Sequence, residues 1–454
     1  MHPAYQATKH QWRRCRDAFA GQDAVKARKE SYLPKTSPTQ SDAAYDDYLA
    51  RATWFNAFRR TVQGFSGMIW RKPASIDPQD ELDKNVTGDG HSLDWLLREV
   101  VREVLVVSRA GVFVDRPDFE REDGVEPSLA DIQAAGIRPY MRMYKAEDIW
   151  DWDTEIIAGR ERLSYVKIYE HSSERNAKRE RVVVERVREL ILEQGTYTQI
   201  VHVRRDRGQW TVEEERVPAA FNGFIPFWFM DPVAGTPEVD TPILIDLVDT
   251  NFSHYRLNAD LRHGLHFTAL PTPWATGVDI EEMTLGPDSG LVSPNEGAQF
   301  GMLEFTGSGL SSLSDEISRD EHRMAVLGAR MLMSEKRAAE TAEAAQIHRA
   351  GEDSILASIA NSVSESASEA YRAYRAAAQV SEDADVELNT DFLATDMDPQ
   401  MLMALLQSWQ LGALAFEDLV ERLKAGEVLA PHRSATDIRN DREAEPPPGG
   451  EGMI

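Results

Sequence analysis

The first hundred residues place apolar side chains three and four positions apart, which is the pattern of amphipathic helices. We predict a basic helix over Gln11–Lys29 and a further helix over Ser92–Arg109. Between them, Ser41 is a typical N-cap for a helix that runs through Trp70. The apolar stripe of that helix consists of Tyr48, Ala52, Phe55, Val62 and Ile69.

From Arg138 to Pro232 the apolar residues alternate with polar ones, a period of two that predicts β-strands. The clearest strands read "RLSYVKIYEH", "RERVVVERVREL", "TYTQIVHVRR" and "QWTVEEERV". Short polar links join them, so the pattern indicates an antiparallel meander with one face in water. An aromatic cluster, "FNGFIPFWFMDP", closes this region.

Helical spacing then returns in two segments that flank a stretch rich in proline and glycine. The first helix is predicted to begin at Thr241, with Pro242 in its first turn, and to reach about His263. The second spans Leu310–Met331. The stretch between them, Phe267–Phe305, has room only for short strands and turns.

A long segment rich in alanine and serine follows, from Glu340 to Ala378. It has no proline, and as one helix it would be about 58 Å long. Its apolar seam consists of Ile347, Ile355, Ile359, Val363 and Tyr371. Small side chains let backbones approach closely, so this seam is suited to close packing against other helices. Two shorter helices are predicted after it, and the polar segment 434–454 is expected to be a disordered, flexible tail.

Length and charge narrow the possible classes of protein. A chain of 454 residues suggests about two to four domains. The net charge of −26 argues against a protein that grips nucleic acid over its whole surface. With a mean hydropathy of −0.44, no stretch approaches the roughly 20 apolar residues of a membrane span, and the N-terminus lacks the apolar run of a secretory signal.

Cys15 is the only cysteine, which excludes an internal disulfide and fits a reducing compartment. It lies among Arg13, Arg14 and Arg16, a setting that favours a lowered thiol pKa, although most such cysteines have no chemical role.

The search for catalytic or cofactor motifs yields only weak candidates. The P-loop pattern is absent, and "GSGLSS" at Gly307 lacks the context of a dinucleotide site. His263 and His266 have ligand-like spacing but no third ligand in sequence, and the acidic residues of "DWD" at 151–153 are more typical of a solvated loop than of a metal site. We therefore expect no enzyme activity, no cofactor and no metal. One charge run stands out, because Lys336-Arg337 lies in the break between two long helices, where it is suited to contact a polyanion.

The order of elements resembles that of the portal proteins of tailed bacteriophages. Several segments resemble a portal-like family long catalogued as a domain of unknown function. They are "YLPKTSPTQSDAAYDDYLARATWFNAFRRTVQGFSGMIWRKP", "LIDLVDTNFSHYRLNADLRHGLHFTALPTPWATG", "LEFTGSGLSSLSDEI" and "ETAEAAQIHRAGEDSIL". Together the resemblance covers most of the chain from about Ser31 to Ala430, and each segment is a pattern of structural residues.

The resemblance implies an α+β fold of the portal type. In that arrangement residues 1–240 form the wing, with its antiparallel meander, and 241–266 and 306–331 are helices of a stem. Residues 267–305 form a small α/β clip, and 332–339 a tunnel loop. Residues 340–378 form a long wing helix, and 379–433 a helical crown.

The resemblance also implies a function and partners. Such proteins form rings, usually of twelve subunits, at one capsid vertex, through which double-stranded DNA is packaged and ejected. The expected partners are the terminase large subunit, the head–tail adaptor and the capsid or scaffold protein, with no membrane. The expected location is the virion, and the host cytoplasm during assembly.

The resemblance assigns site residues within three of these regions. In the long wing helix, contact between neighbouring subunits of the ring is expected from Ile347, Ile355, Ile359, Val363 and Tyr371. In the tunnel loop, contact with DNA is expected from Ser334, Glu335, Lys336 and Arg337. In the clip, contact with terminase or adaptor is expected from Trp274, Asp279, Glu281, Glu282 and Asp288.

Two other readings remain open at this stage. The chain is long for a ring-forming connector or adaptor, but that class shares the expectation of a ring. A hydrolase is the second alternative, with the aromatic cluster Phe224–Phe229 as the floor of a substrate site. A buried aromatic core is the more ordinary use of such a cluster.

Overall fold

The computed structural model describes residues 1–118, 135–157, 159–175, 179–206, 208–221, 223–233, 235–269, 272–277, 297–303, 309–329, 355–392, 399–426, 428–429 and 433–444. The chain divides into two compact units, Met1–Thr390 and Asp391–Ile454. Helices and antiparallel sheets are both abundant, which confirms the α+β class.

Four helices open the first unit: α1 (Pro3–Ala20), α2 (Gln22–Ala27), α3 (Asp42–Arg51) and α4 (Ala57–Ile69). The Ser41 hydroxyl accepts a hydrogen bond from the Ala44 amide, so the predicted N-cap is confirmed. The single predicted helix from Ser41 to Trp70 is wrong, because the chain breaks between α3 and α4. Asn251, fully buried on a later helix, donates to the Phe55 carbonyl there and accepts from the Phe58 amide. Those bonds replace helical ones, and local spacing gives no sign of them.

Helix α5 (Leu93–Val107) is capped by Ser92 and ends at Ser108, which adopts the left-handed conformation with φ 60°. The chain then enters β2 (Ala110–Asp115), the central strand of a three-stranded antiparallel sheet. Its neighbours are β3 (Tyr140–Lys145) and β9 (Phe227–Met230). Every residue of β2 is buried.

The predicted meander is confirmed as a five-stranded antiparallel sheet whose strands lie in sequence order. The strands are β4 (Ile149–Ile157), β5 (Arg160–Arg175), β6 (Arg181–Glu193), β7 (Thr196–Arg205) and β8 (Thr211–Arg216). One face of this sheet is buried within the first unit through side chains such as Val166, Ile168, Leu190 and Val201.

Charged side chains join the meander to the three-stranded sheet. Arg216 donates from Nη2 to both carboxylate oxygens of Asp115, at 2.7 and 2.6 Å, and Tyr140 donates to the same carboxylate. Similarly, Arg188 and Tyr144 both donate to Glu170. Although burial alone would raise it, these donors hold the pKa of Glu170 below its ordinary value. Breaking such buried pairs is costly, so they fix how the two sheets meet.

The two predicted helices around the proline- and glycine-rich stretch are present as α6 (Ile245–Ala269) and α7 (Leu310–Ala329). Between them, β10 (Thr272–Thr276) pairs antiparallel with β11 (Gln299–Leu303). Helix α6 begins four residues after the predicted Thr241 and ends six residues after His263. In the segment before α6, the Ile243 amide donates to the Ser108 hydroxyl at 2.8 Å, which joins this segment to the end of α5.

Helix α8 (Ile355–Ala377) is the described part of the long alanine- and serine-rich segment. The portion before Ile355, including Ile347, lies outside the described residues. Strand β12 (Asp385–Glu387) follows and pairs with β1 (Ser75–Asp77), which joins the end of this segment to the N-terminal half of the chain.

The second unit contains α9 (Pro399–Gln410), α10 (Phe416–Ala425) and α11 (Ala435–Ala444). The first two confirm the predicted helix pair. The third corrects the expectation of a flexible tail from residue 434, because Ser434 and Asp437 hydrogen-bond to each other at its start. Such reciprocal bonds cap a polar helix that its hydrophobicity alone does not predict.

Candidate assembly and channel elements

We define the helical hairpin as α6, β10, β11 and α7, and the body as the rest of the first unit. The first half of α6 packs into the body and forms the root of the hairpin. Its buried side chains there are Leu247, Val248, Phe252, Tyr255 and Ala259. Polar contacts add to this root, since Asn258 accepts from Thr53 at 2.7 Å and Asp260 from Tyr48 at 2.6 Å. The first half of α6 is therefore a core helix.

Helices α6 and α7 pack against each other along an antiparallel contact. Ile317 and Met324 are buried on α7. At the distal end, Gly264 leaves room for Leu310, whose Cδ2 would lie 2.5 Å from a Cβ at position 264. Near the middle, His254 Nε2 lies 3.4 Å from Glu321 Oε1. The contact therefore extends from the body to the distal end of α6.

The distal end of the hairpin leaves large apolar side chains in solvent. Leu265 and Phe267 are each 48 % exposed, Trp274 39 % and Phe300 37 %. Trp274 lies opposite Gly301 in the β10–β11 pair, and its ring occupies the space that a Cβ at Gly301 would take. Within the described residues, this end of the hairpin displays a local group of exposed aromatic and aliphatic side chains, as interaction surfaces do.

From Asp246 to Asp260 the exposed positions of α6 are mostly acidic, and the next exposed charge, Arg262, is basic. Asp246, Asp249, Arg256 and Asp260 recur at helical spacing and all lie in solvent. Asp249 pairs with Arg14 from α1, and Arg256 donates to the Tyr32 carbonyl at 3.0 Å. The spacing of three aspartates on a predicted helix was a usable sequence signal for this acidic face.

Most of the predicted clip and tunnel-loop residues lie outside the described residues. Of the clip set, only Trp274 is described, on β10. Asp279, Glu281, Glu282 and Asp288 lie outside, as do Ser334, Glu335, Lys336 and Arg337 of the predicted tunnel loop. Their assigned contacts stay predictions.

The apolar seam predicted for contact between subunits is covered by the chain itself. Ile359, Val363 and Tyr371 have no exposed surface, and Ile355 is partly buried. Helix α8 packs on β2, β9 and β12 of its own chain. The expected role of the three buried side chains in subunit contacts is therefore corrected: they form part of the chain's core.

The small residues of α8 serve close approach by strands and turns of the same chain. The Ser368 hydroxyl accepts from the Val386 amide at 2.9 Å, and the Ser364 hydroxyl from the Leu388 amide at 2.9 Å. Ser362 donates to the Asp231 carbonyl at 2.9 Å. These hydroxyls satisfy backbone groups that a larger apolar side chain would leave unpaired.

The weak metal and thiol candidates have ordinary surroundings. His266 Nε2 lies 3.3 Å from Arg51, while the His263 ring packs edge-on against Tyr48 and Phe267. Burial and the nearby Arg51 lower the pKa of His263. Within the described ranges, no group of three candidate ligands converges. Cys15 is buried, and burial raises its pKa to about 12, so the expected lowering by neighbouring arginines is wrong.

The aromatic cluster lies mainly in the core. Phe227 and Phe229 are buried on β9 with their rings 5.2 Å apart, centroid to centroid. Trp228 is half-buried and donates to Glu369 of α8 at 3.0 Å. The cluster thus joins β9 to α8. Among the described residues, every helix is too short or too polar to cross a bilayer.

Comparison with known proteins gives one family match. A family model described as "Domain of unknown function (DUF4055)" matches residues 243–376, which run from the start of the hairpin to the end of α8. No curated protein matches the chain.

Three solved structures are similar at low identity. A chain of the virion of a native gene transfer agent (GTA) particle is 12 % identical with a TM-score of 0.37, covering 87 % of this chain and 95 % of that one. A chain from the neck of an empty GTA particle, computed with C6 symmetry, is 12 % identical with a TM-score of 0.38, covering 90 % and 98 %. A chain from the neck of a native GTA particle, computed with C12 symmetry, is 10 % identical with a TM-score of 0.36, covering 87 % and 96 %.

Proposed function

We propose that this protein is a phage portal: a ring-forming virion component at the capsid vertex through which double-stranded DNA passes. The observation that carries the proposal is the helical hairpin, in which two packed antiparallel helices are rooted in an α+β body and carry a two-stranded insert. A hairpin rooted at one end and exposed at the other is suited to pack beside copies of itself. In this proposal α6 and α7 form the stem, and the insert forms the clip.

The charge of α6 is suited to a channel wall. Its exposed face carries Asp246, Asp249 and Asp260, against Arg256 and against Arg14 of α1, which pairs with Asp249. DNA that must slide is slowed by every phosphate held by a cation, so a wall of mostly negative charge keeps it mobile. Screening over about 8 Å at physiological salt confines the repulsion to DNA close to the wall.

The exposed apolar end of the hairpin is suited to bind other proteins. Trp274 and Phe300 lie on the insert, and Leu265 and Phe267 on the adjoining end of α6. Aromatic side chains of this kind often supply much of the binding energy of an interface. We assign this end to the terminase and later to the head–tail adaptor. The role is structural in this proposal, and the energy for packaging comes from the separate terminase ATPase.

Negative-stain images of the purified full-length protein test the ring. The expected result is a population of closed rings with a central hole wide enough for a DNA duplex. Images that contain only compact single particles would contradict the proposal.

Removing the insert separates the two roles of the hairpin. We expect that replacing residues 272–303 with a short glycine-rich linker leaves rings intact and abolishes terminase binding. The matched control is Ser318→Ala, an exposed change on α7 away from the insert, which should leave both unchanged. If the deletion destroys folding, the insert is part of the core and its assignment as a clip is wrong; Trp274→Ala then tests terminase binding alone.

The predicted tunnel loop has its own test. Replacing Lys336 and Arg337 with alanine should alter DNA packaging or retention and leave ring assembly unchanged, because only DNA contacts are removed. If packaging and retention are unchanged, Lys336 and Arg337 have no role in DNA contact and the assignment is wrong.

A further inference from the structure

Arg109 is the one large cationic side chain among the most deeply buried side chains of the described residues, at 2 % exposure. It follows the left-handed Ser108 at the end of α5. No carboxylate of the described residues forms an ion pair with it; the guanidinium lies instead between two aromatic rings. Its centre is 4.6 Å from the ring of Trp152 on β4 and 4.1 Å from that of Phe229 on β9. Burial lowers the pKa of Arg109 to about 9.

The guanidinium donates to three consecutive backbone carbonyls. Nη1 reaches the carbonyls of Thr236 at 3.5 Å and Glu238 at 2.6 Å, and Nη2 reaches that of Pro237 at 3.0 Å. These residues belong to what we call the junction, residues 235–244, which leads from the end of β9 to the first turn of α6. Arg109 therefore binds the segment that connects β9 to the hairpin.

Neighbouring contacts hold both ends of the junction. At its far end, the Ile243 amide donates to the Ser108 hydroxyl at 2.8 Å. At its near end, the Thr236 amide donates to Asp231 at 2.7 Å, and Gly235, with φ +65°, lies directly against Ser366 of α8. The junction is thus held between the end of α5 and the long helix.

The hydrogen bonds of the buried Arg109 side chain favour one position of the junction. A buried cation is costly unless hydrogen bonds and nearby negative charge compensate it. Here three carbonyls accept from Nη1 and Nη2 and two aromatic rings flank the guanidinium, while Nε has no hydrogen-bond partner among the described residues. The negative charges of Asp231 and Asp240 also stabilise the cation, without forming an ion pair with it. If the junction moved, the carbonyls would withdraw from Nη1 and Nη2, so movement would cost the hydrogen bonds of a buried cation.

We propose that Arg109 is a positioning residue that locks the junction and thereby fixes the direction of the hairpin relative to the body. The proposal concerns a single chain and stands whether or not the chain forms rings. Within the proposed portal, it adds a means of setting the tilt of each stem and hence the width of the bore.

The test measures a distance between spin labels on the body and on the hairpin. Thr196→Cys, at the exposed start of β7, and Leu265→Cys, on the distal end of α6, provide the two sites. Cys15 is buried with a raised thiol pKa, so the added cysteines label selectively. Labelled chain is mixed with an excess of unlabelled chain, so that only distances within one chain are seen.

We expect one narrow distance distribution for the parent chain and a broadened, shifted one for Arg109→Met. Arg109→Lys should be intermediate, because an ammonium group has no planar fork to span three carbonyls. Arg116→Met is the matched control: Arg116 also donates to a backbone carbonyl, that of Ala377, but away from the junction. It should leave the distribution narrow even if stability falls.

A narrow, unshifted distribution for Arg109→Met would overturn the proposal, since Arg109 would then only fill the core. If that variant does not fold, Arg109→Lys carries the test through amide exchange. Loss of protection at Thr236 and Ile243 that exceeds the loss across α5 supports the proposal, and a uniform loss overturns it. Because both readouts are intramolecular, a chain that proves monomeric defeats the portal proposal without deciding this one.

Discussion

Helix α8 and the helical hairpin are both long helical structures, yet they differ in what covers them. Helix α8 is enclosed by strands of its own chain, with Ile359, Val363 and Tyr371 fully buried. The hairpin is enclosed only at its root, and Leu265 and Phe267 near its end remain half-exposed. Small side chains therefore indicate that another backbone approaches closely, but not whether that backbone belongs to the same chain or to a neighbour. For α8 the approaching backbone belongs to the same chain.

The largest expected effect comes from truncating the enclosed helix. Ile359→Ala should lower the free energy of unfolding by about 2–5 kcal/mol, because it removes a fully buried side chain and leaves a cavity. Denaturant unfolding of the two proteins measures this. A loss below about 0.5 kcal/mol would contradict the assignment of this face to the core of the chain.

A single hydroxyl on the same helix should have the next largest effect. Ser368→Ala removes the acceptor of the buried Val386 amide and should cost about 1–3 kcal/mol. The control on the hairpin is Ser318→Ala, whose exposed hydroxyl donates only to Ser314 of its own helix. Equal losses for the two variants would mean that the Ser368 hydrogen bonds do not hold β12 in place.

Glycine replacements next to α8 and in the hairpin should differ in their effect on stability. Gly235→Ala should cost about 1–3 kcal/mol, because φ is +65° and the new Cβ would meet Ser366 and the Phe229 carbonyl. Gly264→Ala in the hairpin should change stability by less than about 1 kcal/mol, since helix propensity favours alanine and the flexible end of Leu310 can move. Adding Ser366→Ala to Gly235→Ala should recover part of the loss; no recovery would indicate that backbone strain alone is responsible.

The smallest effect on stability is expected at the exposed end of the hairpin. Leu265→Ser should change the free energy of unfolding of the separated chain by no more than about 0.5 kcal/mol, because the side chain is already half in solvent. If copies pack through this end, the same variant should reduce the fraction of chain in assemblies, measured by analytical ultracentrifugation. A large loss of stability without any change in assembly would mean that Leu265, like the buried face of α8, belongs to the core of its own chain.

Sequence periodicity predicted the meander and the order helix, insert, helix, because alternation and helical spacing are local properties. It failed where a distant side chain decides the local structure. Asn251 splits the predicted helix between Ser41 and Trp70, and Ser108 binds the Ile243 amide in the segment before α6. The same limit applies to the apolar seam of α8, since spacing identifies a buried face but not the element that buries it.

The candidate site was predictable only in part. The exposed aspartates of α6 follow a readable spacing, whereas Arg109 gave no signal at all. An isolated arginine after a helix ordinarily lies in solvent, and its partners Thr236, Pro237 and Glu238 are more than a hundred positions away. The Arg109 side chain donates to the backbone carbonyls of these residues, and backbone carbonyls carry no residue-specific signature in a sequence.

Native mass spectrometry of the purified full-length chain tests the central claim most directly. A portal predicts a closed ring, and twelve copies of a 51.0 kDa chain give an assembly of about 0.6 MDa. A dominant species at 51.0 kDa, unchanged as protein concentration rises, would contradict the claim that the hairpin is built to line a ring.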